Sequence, residues 1–243
     1  MTFRDVRELS WTRVLRYNNR MNYFAHGCRY TDNPYFLAGT AIPDWLNVAD
    51  RRVRARTRGA EPLIDDSRDE VAQIARGIVQ HHDDDAWFHQ TRAFAELSLS
   101  FAVEIRDLLP ADDGFRPSFL GHILVEILLD DVLIGEDPVC LERYYAALGD
   151  VDPELIQQTV NRIASRSTTR LSALIPRFCD ERFLCDYAED EKLLSRLNAV
   201  MRRVRLPELP ESMLEFFGEA RDRVRGARAE LLVNWQPASP ERG

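Results

Sequence analysis

Three histidines and three aspartates fall within the fourteen residues GIVQHHDDDAWFHQ (77–90) of a chain that has only five histidines in all. Imidazole nitrogen beside carboxylate oxygen is the donor set of zinc, iron and manganese sites, so helical spacing decides whether these groups can act together. With about 100° of turn per residue and His81 at zero, Asp85 falls near ~40°, His89 near ~80° and His82 near ~100°. Val71, Ile74 and Ile78 lie in the same arc, so the stripe that carries His81, His82, Asp85 and His89 is expected to point toward a core. Asp83 and Asp84 are expected to face solvent or to cap.

A second segment repeats the arrangement. In FLGHILVEILLDDVLIG, His122, Glu126 and Asp130 stand at i, i+4 and i+8 on an otherwise aliphatic helix. Carboxylates moved unpaired into an apolar interior cost several kcal/mol, and this helix offers no lysine or arginine to pair them, so cations must come from elsewhere. A metal ion is the economical source. His26 in NYFAHGC and Asp44 in GTAIPDW complete the set, and every histidine then lies in a candidate ligand segment.

The chemistry expected is activation of water at one or two divalent ions, manganese, iron, zinc or magnesium. His26, Asp44, His81, Asp85, His89, His122 and Glu126 are the candidate ligands. Asp85, Glu126 and Asp130 are the candidates for proton transfer, and His82, Arg51 and Arg52 for contact with substrate phosphate. The alternative is a non-catalytic helical binding or scaffold protein in which the same groups hold a structural ion or form a histidine–carboxylate network.

The elements that must position these groups are helical. A helix is expected over 21–30, then a turn at Thr31–Pro34 and a short apolar segment, YFLAGTAIPDWL, broken by Gly39 and Pro43. Residues 51–66 read as a loop whose arginines, DRRVRARTRG, are solvated or meet a phosphate. A long helix is expected from the Asp66–Ser67 caps to about Leu109, broken once near the aspartates and ended by Pro110. Further helices are expected over 118–134, closed by Gly135, over 153–166 behind an Asp152–Pro153 start, and over roughly 170–205 and 211–235. With no alternating strand pattern, the class expected is all-α, a compact single-domain bundle over 21–236. Residues 1–20 read as an extension before a second methionine, Met21, and 237–243 as a flexible tail.

The composition bounds the partners. A net charge of −8 argues against a general nucleic-acid binder, and the longest apolar run, near 119–135, is too short and too polar to span a bilayer. Four cysteines without paired metal-site spacing, behind no recognisable signal peptide, suit reduced thiols in the cytoplasm. Nothing in the composition fixes an oligomeric state.

Several short motifs resemble those of a known family. MNYFAH, the glycine-to-aspartate segment GTAIPD, GIVQHHDDD and EILLDDVL are similar, in that order, to the motifs of the bacterial acyl carrier protein phosphodiesterases, and FLCDYAEDEKLLSRLNAVMRR is a weaker echo of that family's C-terminal helices. The likeness spans most of residues 21–205. It implies an HD-type, all-α metal-dependent phosphohydrolase fold, a phosphodiester substrate with acyl carrier protein as candidate partner, and ligand or near-site roles for His26, Asp44, His81, Asp85 and Asp130. The chain departs from the pattern at Phe88–His89, where the family has Thr-Asp, at Asp130–Asp131, where it has Asp-His, and in adding His122. AIPDW and GHILVE also resemble motifs of the zinc-dependent phospholipase C group, so a phospholipase C-like hydrolase is the neighbouring expectation.

Overall fold

The computed structural model describes residues 22–109 and 114–235. Within them the chain is all-α with no strand, as expected. The helices are α1 (Tyr23–Gly27), α2 (Pro34–Ala49), α3 (Thr57–Ala60), α4 (Asp69–Phe88), α5 (Arg92–Leu108), α6 (Pro117–Glu136), α7 (Pro138–Gly149), α8 (Pro153–Ile163), α9 (Leu171–Glu181), α10 (Asp190–Val204) and α11 (Leu214–Leu231). The expected extension (1–20), the tail (237–243) and Pro110 lie outside the described residues. No described helix is long and apolar enough to cross a membrane.

Local chemistry explains most boundaries. Proline opens α2, α6, α7 and α8, where its missing N–H costs nothing, and Asn33, Asp137 and Asp152 accept from the backbone N–H of Phe36, Cys140 and Glu154 to cap α2, α7 and α8. Thr91 does the same for α5, so the long helix breaks at His89–Thr91, just past the aspartates. Asp137 ends α6 and starts α7, and Gly135 sits inside α6 rather than closing it. The segment expected over 170–205 is two helices, because Arg182 adopts a left-handed conformation (φ 43°) and a 3₁₀ stretch, Phe183–Ala188, intervenes.

The largest departure from the sequence reading is α2, which runs unbroken through both Gly39 and Pro43. Gly39 is a contact residue rather than a break. A Cβ there would lie 2.9 Å from the Gly77 Cα and 2.5 Å from the Ile74 carbonyl oxygen, and a Cβ on Gly77 would strike the Phe36 carbonyl. Backbone therefore meets backbone where α2 crosses α4, and tertiary packing outweighs the weak intrinsic helicity of the two breakers. The crossing sets Thr40 and Asp44 of α2 beside His81 of α4. Trp45, Phe24 and Tyr144, all fully buried, fill the core around it.

Candidate metal centre

Asp130 of α6 anchors the first wall of the site. Its two carboxylate oxygens accept from the backbone N–H groups of Phe24 (3.0 Å) and Ala25 (2.7 Å), fixing α1 against α6 and turning His26 inward. Burial pushes the Asp130 carboxyl up to about 7 while those two N–H groups pull it down. Expected near the proton transfer, Asp130 has both oxygens committed to holding up α1.

His26 is completely buried between two carboxylates. Its Nδ1 lies 3.4 Å from Asp84 Oδ2 and its Nε2 3.4 Å from Asp85 Oδ1, and its ring stacks on that of His81 at 4.0 Å. Burial opposes a charge on His26, but the two carboxylates outweigh it and raise its pKa to about 10. Burial likewise opposes ionisation of Asp85, yet His81 and His26 hold its carboxyl far below the usual range.

His81 Nδ1 lies 2.8 Å from the Thr40 carbonyl oxygen. A carbonyl can only accept, so Nδ1 carries a hydrogen there, and Nε2 is left facing Asp85 Oδ2, 3.4 Å away. Asp44 completes this cluster: one donor atom from each of His26, Asp44 and His81 lies within 4.8 Å of the others, and His81, His82 and Asp85 form an overlapping trio.

A second cluster adjoins the first through the end of α4. His89, the residue that caps α4, directs Nδ1 at the Asp85 carbonyl (2.8 Å), which leaves Nε2 facing Glu126 Oε1 at 2.9 Å. His122 Nε2 converges on the same oxygen at 3.1 Å, and the two imidazoles stack nearly parallel, 5.0 Å apart, with Phe94 edge-on to both. Burial disfavours charge on His122, while Glu126 and, more remotely, Asp85 raise its pKa.

The donor geometry suits an ion. Hydrogen bonds have heavy-atom distances of about 2.7–3.2 Å. Ligands about 2.0–2.2 Å from a tetrahedral ion stand roughly 3.3–3.6 Å apart. The Nε2 atoms of His26 and His81 each lie 3.4 Å from an Asp85 oxygen, a separation that two ligands of one ion can adopt and that the His26 Nδ1–Asp84 pair also shows. In the second cluster one carboxylate oxygen faces two imidazole nitrogens, an arrangement that a shared cation would satisfy.

Sequence reasoning missed Asp84. Expected in solvent, it is 1% exposed and receives Arg29 (2.8 Å), Gln80 (2.9 Å) and the Trp87 indole (3.3 Å) besides facing His26. Its place near ~−60° from His81 on the helix wheel is the flank of the ligand arc, and α1 covers that flank. Asp83 is exposed, as expected. His82 Nε2 is 2.8 Å from the Ala55 carbonyl. Arg51 and Arg52 are exposed and engage the Arg203 carbonyl and Asp50 respectively, rather than either cluster.

Compared with known families, curated proteins and solved structures, the chain matches no family model, no curated protein and no solved structure. The likeness to phosphodiesterases stands on the short motifs alone.

Proposed function

We propose that the protein is a metal-dependent phosphodiester hydrolase of the acyl carrier protein phosphodiesterase type. The observation that carries this reading is the convergence of all five histidines with Asp44, Asp85 and Glu126 into two adjoining clusters in the core of the helical domain. His26, Asp44, His81 and Asp85 would hold one divalent ion, and His89, His122 and Glu126 a second.

Such ions supply Lewis acidity, which acidifies water toward neutral pH and offsets charge on a phosphoryl oxygen. The protein's own part is positional. Thr40 fixes the His81 tautomer, Asp84 holds His26 Nδ1–H, and the Asp85 carbonyl orients His89, so three imidazoles present Nε2 without rearranging. Asp85, with a side chain in one cluster and a backbone carbonyl bonded into the other, ties the two together. Where Glu126 does not itself hold the second ion, its carboxylate between two imidazoles is the group placed to take a proton from an attacking water.

The complete burial of His26 and His81 favours a second reading, a binding or scaffold protein with a structural ion or a protonated network. Metal analysis of the purified protein, with bis(p-nitrophenyl) phosphate turnover in manganese or zinc, separates the two. Bound metal with turnover lost in His122→Ala supports hydrolysis. Metal that affects only melting temperature supports the scaffold, and absence of both metal and turnover sinks the hydrolase.

A further inference from the structure

A cavity of about 320 Å³ opens between α1, α2, α6, α9, α10 and the Phe183–Ala188 stretch. Its size falls at the lower end of the range of small-ligand sites, about 300–1,000 Å³. Ile127, Leu174, Phe178 and Val200 supply an apolar interior, and Val48, 39% exposed, leaves apolar surface at the wall.

Charge at the lining is lopsided. Arg177, Arg196 and Arg203 face a single acidic residue, Glu181. Arg177 pairs with Glu181 and Arg196 with Asp186, whereas the exposed Arg203 makes no ion pair among the described residues. The Arg51 guanidinium adds to the positive end by bonding the Arg203 carbonyl oxygen at 2.7 Å. An apolar chamber with surplus guanidinium at its edge is complementary to a molecule with an apolar tail and an anionic head.

We infer that this cavity binds a single-chain amphipathic anion, its chain among Ile127, Leu174, Phe178 and Val200 and its head group at Arg203. The site is separate from the metal clusters, although its walls share α1, α2 and α6 with them, and it does not depend on an ion being bound. A carboxylate and a phosphate monoester offer the same head-group chemistry.

Isothermal titration of the full-length protein with decanoate, decyl phosphate and decanol tests the assignment. Saturable one-to-one binding of either anion is expected, at least tenfold tighter than decanol, weakened fivefold or more by Arg203→Gln and abolished by Ala199→Trp, which fills the chamber from its wall. Binding should persist after chelator treatment. The assignment is overturned if neither anion binds, if decanol binds as well as both, if the two variants bind like wild type while keeping its circular dichroism, or if chelation removes the binding and so places the anion on a metal.

Discussion

Gly39 and Gly77 meet backbone to backbone where α2 and α4, the helices that carry the candidate ligands Asp44, His81 and Asp85, cross. A Cβ on Gly77 would lie 2.8 Å from the Gly39 Cα and strike the Phe36 carbonyl, neither of which can move aside as a side-chain tip can. Gly77→Ala should therefore cost about 1–3 kcal/mol, the range of overpacked sites, despite alanine's better helix propensity. Thermal melts check this, and an unchanged or raised Tm would mean that the helices part without strain.

Asp84→Asn should weaken divalent-metal binding about 10- to 100-fold, the usual effect of losing a carboxylate behind a ligating imidazole, with His26 still present. Competition against a fluorescent chelator measures it. The helical circular dichroism should stay at the wild-type level, since the amide oxygen can keep Arg29 while Gln80 turns its own amide to accept from the new NH2.

The two clusters should load separately. His81→Ala removes a donor from the first and His122→Ala from the second, so each variant should bind one equivalent of metal fewer than wild type by elemental analysis. Loss of all metal from both variants would show instead that the seven donors form one indivisible centre.

Protonation of His26 sets a pH dependence in the metal-free protein. Its folded pKa, about 10, stands above the ordinary 6.5, so the stability it contributes is whole below about 6.5 and is lost as pH rises through 10. Tm in chelator should fall across that interval, and His26→Gln should flatten the fall. Because an ion at Nε2 must displace that proton, apparent metal affinity should climb over the same range. Titration calorimetry in buffers of different ionisation enthalpy would count the protons released.

The helix-wheel arithmetic put His81 and Asp85 on the buried face of α4 because that face continues the apolar stripe of Val71, Ile74 and Ile78 along the same helix. Asp84 escaped it, since its burial is imposed by α1, a neighbour from more than fifty residues earlier in the chain. Asp130 shows the same limit from the other side: the i, i+4, i+8 spacing put it on the ligand face, but the helix end it supports could not be read from that spacing. Pro43 and Gly39 read locally as breakers, and only the crossing with α4 shows why the helix continues through them. The helical class was legible throughout, whereas the arginines at 51 and 52 were read by charge alone, and charge does not say in which direction a loop turns.

His26 and His81 have no surface in contact with solvent. An ion cannot diffuse straight onto them. It would have to wait for α1, five residues pinned by Asp130, Tyr144 and Trp235, to lift away from α6. Occupancy would then be a matter of history as much as of concentration: a chain that closes around an ion while folding keeps it long after the surroundings are depleted, and one that closes empty stays empty for a comparable time.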